Sequence, residues 1–181
     1  QQKLLTSSRA SIKVNLLSLL QGKVSISSAQ LFGATANTYR QTAQSKPNYQ
    51  FVLDSLASKE PQKESKLDVT IGSLIIRNGT LIYHQNDAPK TIGQLNLKHL
   101  HITNLSAHIL VNTLTNDSLN LQIKRLALDE ASGVHLNALT TKLQANKRDA
   151  HLNYLNIDMP GTCIRIKDVS AHYQFENKQL A

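Results

Sequence analysis

The side chains with most scope for chemistry are seven histidines, twelve acids and one cysteine. The histidines (His84, His99, His101, His108, His135, His151 and His172) are scattered. His99 and His101, two residues apart, would share one face of a strand, a spacing that two metal ligands can use. Their neighbours Leu100 and Ile102 would point the other way, so the pair reads as a solvated strand face rather than a metal site. Asp129-Glu130 is the one adjacent acidic pair, and on a strand its side chains diverge. Cys163 cannot form an intrachain disulfide or a Cys-based zinc site by itself. It lies in an apolar stretch and reads as a buried, inert thiol. No His-Glu-x-x-His, Gly-x-Ser-x-Gly or phosphate-cradling glycine loop is present. The expectation is therefore a chain without catalytic residues, metal or cofactor. Asn78-Gly79-Thr80, Asn104-Leu105-Ser106 and Asn116-Asp117-Ser118 match the glycosylation sequon but read as turns.

What remains is a distributed pattern that must lie in the elements themselves. The chain has 181 residues, enough for one domain or at most a domain and a half. Its apolar residues are skewed to 28 Leu, 13 Ile and 7 Val, with 4% aromatics and no Trp. No run approaches the roughly 20 apolar residues of a membrane-spanning helix. Gln1 at the start reads as a processed protein or a piece, with any signal peptide or anchor cut away. The net charge is +8. The basic residues are spread singly, densest at Lys124-Arg125, Lys147-Arg148 and Arg165/Lys167, without interleaved aromatics. That footprint argues against nucleic acid as a partner.

Alternation with period two, the strand signal, runs through most of the chain. Strands are predicted at 11–15, 23–27 and 30–40, and then at 66–77, 79–85, 92–103, 106–112, 118–128, 133–146, 150–158, 162–167 and 169–175. Asn78-Gly79 predicts a two-residue hairpin turn. Tyr49, Val52, Leu53 and Leu56 fall at helical spacing and predict one helix over 48–58, N-capped by Asn48. The organisation read from this is 1–58 (strands plus helix), a polar linker at 59–66, and a repetitive β region over 67–181.

A template, apolar-x-apolar-x-x-apolar-x-apolar, recurs within the β region. It fits Val69, Ile71, Leu74 and Ile76; then Leu95, Leu97, Leu100 and Ile102; then Leu121, Ile123, Leu126 and Leu128. The interval is 26 residues each time (95 − 69 and 121 − 95). It also fits Ile12, Val14, Leu17 and Leu19. The central x-x step shifts the side-chain phase by one, so a regular strand would turn its second apolar pair to the wrong face. A bulge at that step keeps all four on one face. The fold class expected is mainly β: an elongated, curved and twisted open sheet, a β-groove, with one short α-helix. The twelve template residues from Val69 to Leu128 would line its concave side, while Lys98, His99, His101, Gln122, Lys124 and Arg125 face water. An aliphatic lining with few aromatics suits acyl chains, which need apolar area and no specific hydrogen bonds. An ordinary sandwich core gives the same periodicity.

Three stretches carry a family resemblance. They are 14–26 with 29–34 (VNLLSLLQGKVSI and AQLFGA), 48–56 (NYQFVLDSL) and 71–83 (IGSLIIRNGTLIY). In this order they resemble the AsmA-like proteins of Gram-negative bacteria, specifically the TamB-type (translocation and assembly module) chains, in flavour those of Bacteroidetes. The resemblance implies a periplasmic rod of β-sheet tethered to the cell inner membrane by an N-terminal anchor. It implies a non-enzymatic hydrophobic groove that moves phospholipid between inner and outer membranes. The partners implied are phospholipid acyl chains and an outer-membrane β-barrel protein. An assembly factor that binds client strands at a sheet edge, and a structural β-solenoid without ligand, are the alternative readings.

Overall fold

A computed structural model describes residues 3–15, 25–51, 70–114 and 118–172. Among them, eleven strands form one mixed sheet: β1 (Leu5–Thr6), β2 (Arg9–Val14), β3 (Ser25–Phe32), β4 (Thr35–Arg40), β5 (Thr70–Ile71), β6 (Ser73–Gln85), β7 (His99–Leu114), β8 (Ser118–Glu130), β9 (His135–Asn146), β10 (Asp149–Met159) and β11 (Thr162–His172). The mainly-β class and the open sheet are those expected. Of the helix expected at 48–58, residues 48–49 form a turn and 50–51 are helical, and 52–58 lie outside the described residues.

From β6 to β11 the chain meanders, each strand antiparallel to the next, with the longest connection between β6 and β7. The other half is wound differently. β3 and β4 lie end to end and both pair parallel with β6, with no change of register across Gly33-Ala34. β2 then pairs antiparallel with β3, and β1 with β4. Among the described strands β11 pairs only with β10, so the sheet is open and uncurled, its two margins apart.

Several predicted breaks are not breaks. Asn78-Gly79 forms no hairpin: β6 runs straight through it. A type I′ turn needs positive φ at both central residues. Here Asn78 alone has it (φ 52), so the chain kinks and continues. The predicted gaps at 104–105 and 168 are likewise kinks inside β7 and β11, at Asn104 (φ 50) and Asp168 (φ 55). In the opposite direction, the strand predicted over 92–103 begins only at His99.

Substantial contacts between strands are all between hydrogen-bonded neighbours, so no described strand stacks on another. Ala34 and Ala107 are the only buried residues with apolar side chains among those described. The described residues thus form a single layer, not a sandwich with a dry core.

Candidate functional site

Residues opposite one another on paired strands project to the same side of a sheet, so the registers map each face. Leu74 and Ile76 on β6 lie opposite Ile109 and Ala107 on β7. These lie opposite Ile123 and Leu126 on β8, and those opposite Thr141 and Leu139 on β9. Leu155 and Ile157 on β10 and Ile166 and Ile164 on β11 continue the rows to the margin. The result is one aliphatic face running from β3 to β11. Its side chains are half-buried by their neighbours in the sheet and by nothing stacked on them. At the β11 margin, Ile164 (41%), Ile166 (36%) and Val169 (48%) are exposed.

Every strand from β6 onward crosses a phase step. Ile76 to Gly79, Ile102 to Leu105, Ile123 to Leu126, Leu136 to Leu139, Leu152 to Leu155 and Ile166 to Val169 are each three residues apart, yet each pair falls on this face. The step residues are Arg77-Asn78, Thr103-Asn104, Lys124-Arg125, Asn137-Ala138, Asn153-Tyr154 and Lys167-Asp168. Five of the six contain Asn or Asp, the residues that most readily take left-handed backbone or bond their own main chain. Gly79 is buried where two steps meet: a Cβ there would lie 2.9 Å from Ile76 Cγ2 and 3.4 Å from Leu105 Cβ.

The expected lining is placed as follows. Leu74, Ile76, Leu100, Ile102, Leu121, Ile123, Leu126 and Leu128 share the aliphatic face. Val69 and the side chain of Ile71 lie outside the described residues. Leu95 and Leu97 are not on the sheet. They sit in the loop between β6 and β7, 50% and 71% exposed, and the physical reason is register: Leu100 and Ile102 are continued on their own face by Leu105, not preceded by Leu97. Sequence reasoning missed Leu105 and Ile109 because Asn104 reads as a turn, and Leu139, Leu155 and Ile157 because Thr141 and Ala150 break the four-position aliphatic template.

The opposite face is mostly polar. His108 lies opposite Arg125, and Lys142 and Lys167 flank Tyr154. Gln122 donates to the Tyr154 hydroxyl at 3.0 Å. Cys163 is exposed, opposite Asp158 on this side, which corrects the buried thiol expected: β11 is a margin strand and covers neither of its faces. Among the described residues no three His, Cys, Asp or Glu side chains group as metal ligands.

Polar groups close one end of the aliphatic face. Glu130, opposite Ile102, is buried. It accepts from the Ser132 amide at 2.8 Å, from the Ser132 hydroxyl, and from the His101 amide at 3.2 Å. Burial acts to raise its pKa, but these hydrogen bonds outweigh it and hold the carboxyl below its usual range. Arg40 donates to the Tyr83 hydroxyl beside it. On the opposite face at the same end, His84 and His99 meet across β6 and β7, Nδ1 to Nδ1 3.3 Å apart. Burial, then the charges of His99, Lys90 and His101, lower the His84 pKa.

No known protein family, curated protein or solved structure matches this chain.

Proposed function

We propose that the aliphatic face binds lipid acyl chains, and that the chain is a non-enzymatic lipid-handling segment of an AsmA-like, TamB-type envelope protein. In that role it would sit in the periplasm, tethered to the inner membrane, and carry phospholipid between inner and outer membranes. The observation that supports this is a broad Leu/Ile face in a single-layer sheet with no described element over it. Soluble monomers rarely leave contiguous apolar patches beyond a few hundred Å2 uncovered. Acyl chains satisfy such a face by area alone, at roughly 0.8 kcal/mol per CH2 buried.

The test is site-specific photo-crosslinking of a phospholipid, with probes at Ile123 and Leu155 on the face and at Gln122 and Asn156 on the other side. Labelling confined to the inward pair is expected. Equal labelling on both sides, or none, overturns the reading.

A second reading has its own observation. All eleven residues of β11 are exposed and no described strand pairs with its outer edge. A client strand, such as one from an outer-membrane β-barrel protein, could add there by main-chain hydrogen bonds. That reading predicts peptide binding without lipid labelling.

A further inference from the structure

The loop between β6 and β7, residues 86–98, carries the two most exposed aliphatic side chains of the described residues, Ile92 and Leu97, with Leu95 beside them. Ile92 is 99% exposed, Leu97 71% and Leu95 50%. These side chains lie off the sheet's aliphatic face. The loop is nevertheless firmly built. Gln85 donates its amide to Lys98 O at 2.8 Å, and Ala88 donates to Gln85 O at 3.1 Å. Asn96 holds the chain from within: its Nδ2 donates to Pro89 O at 3.2 Å, and its Oδ1 accepts from the Lys98 amide at 3.0 Å. His99 Nε2 lies 2.8 Å from Ala88 O, tying the strand start to the far side of the loop. A tied base holding three bare aliphatic tips is preorganised, so little ordering is required when the tips are buried.

Charge says what kind of surface would bury them. Lys90 and Lys98 are both exposed and flank the tips. Asp87 is the one acid in the loop; behind it lie His84, His99, His101 and Glu130, whose carboxylate is buried. Aliphatic tips between lysines suit the interface of an anionic bilayer, where apolar groups enter below the headgroups and ammonium groups meet phosphates.

We propose that loop 86–98 docks the protein on an anionic phospholipid bilayer, with Ile92, Leu95 and Leu97 inserted and Lys90 and Lys98 at the headgroups. This stands beside the acyl-chain reading of the sheet, not on it. It places that end of the sheet, where β6, β8 and β10 finish, against the membrane.

The chain has no tryptophan, so one introduced indole reports alone. In Ile92→Trp, emission should shift to the blue with phosphatidylcholine–phosphatidylglycerol vesicles, and much less with phosphatidylcholine alone or at high salt. Adding Leu95→Ser and Leu97→Ser should weaken the partitioning about tenfold or more. Adding Lys90→Gln and Lys98→Gln should remove the preference for anionic vesicles. Arg148→Trp, in the turn at the opposite end of the sheet, should not respond. The proposal is overturned if the loop indole of Ile92→Trp ignores anionic vesicles, if it responds equally to neutral ones, or if the indole of Arg148→Trp responds as strongly. A blue shift in Ile92→Trp without lipid crosslinking at Ile123 leaves the docking loop and removes the acyl-chain reading. Crosslinking at Ile123 with a silent loop indole does the reverse.

Discussion

Ile123 and Leu126 are three residues apart on β8 yet project to the same face, because their partners Ile109 and Ala107 are only two apart on β7. Lys124 is the extra residue. Arg125 still pairs with His108, so β8 absorbs Lys124 as a bulge without losing its neighbours. The same device recurs in each strand from β6 to β11, which is how one continuous aliphatic face arises from strands whose sequences change phase midway.

Deleting Lys124 should therefore be far worse than altering it. Lys124→Ala keeps the backbone count, and its exposed side chain contributes little, so stability should change by less than about 0.5 kcal/mol. Deletion would turn either Leu121 and Ile123 or Leu126 and Leu128 to the polar side. Urea unfolding followed by circular dichroism checks this. A deletion as stable as the parent would mean that β8 has no fixed phase.

The steps also set which small residues matter. Gly79→Val would press branched carbons on Ile76 and Leu105, an overpacking worth about 1–3 kcal/mol. Gly79→Ala should cost less, since a single methyl makes one tight contact, 2.9 Å to Ile76 Cγ2, and carries no branches to press further. Gly33→Ala combines a positive φ of 55 with a Cβ 2.6 Å from Ser8 Oγ, and should cost roughly 1–3 kcal/mol. Asn78→Gly, by contrast, should be neutral or mildly stabilising at its left-handed backbone. Thermal unfolding should place Gly79→Val and Gly33→Ala lowest, Gly79→Ala between them and the parent, and Asn78→Gly at or above the parent.

This is also where the sequence was legible and where it was not. Alternation located most strands from β6 to β11, and the Leu121–Leu128 template located its bulge, because Lys and Arg at the step leave the apolar pattern visible. Asn78, Asn104 and Asp168 carry the same information in ambiguous form. A left-handed residue serves a turn or a bulge equally well, and only the neighbouring strand decides between them. Leu95 and Leu97 failed for the opposite reason: alternating Leu-x-Leu matches a strand, but no partner strand pairs with them. The parallel pairing of β3 and β4 with β6 leaves no local signal at all, since it joins segments far apart in the chain.

His84 gives the fold a defined response to acid. Its pKa lies below the ordinary 6.5 because burial and the nearby positive groups disfavour the imidazolium. Well above 6.5 the ring is neutral in both folded and unfolded chains, and the contribution to stability is constant. As the pH falls through 6.5 the unfolded chain takes up a proton that the folded chain accepts only at lower pH, so stability declines. The decline is complete once the pH is below the folded value. His84→Gln should shrink the difference in melting temperature between about pH 7.5 and about pH 5.5. An unchanged difference would place the acid response elsewhere.

Cys163 should react as a surface thiol. It is exposed on the margin strand, so a disulfide reagent should titrate one equivalent in the native protein about as fast as in the unfolded chain. A thiol silent until denaturant is added would mean that β11 is covered in solution, by a second copy or by a client strand.

The single-layer character of the face separates a lipid surface from a hidden core by charge insertion. Leu139 lies in the middle of the face, between Leu126 and Ile157. If the face meets water in the lipid-free protein, Leu139→Asp keeps a hydrated carboxylate and should lower stability by only about 1–2 kcal/mol. With lipid bound, the same carboxylate would sit unpaired beside acyl chains, which costs several kcal/mol or forces its protonation. Lipid labelling at Ile123 should then fall sharply. Leu139→Ala should scarcely reduce labelling, because the contact is shared by many strands. If Leu139→Asp instead abolishes folding without lipid, part of the chain outside the described residues packs on this face as an ordinary core, and the acyl-chain reading gives way.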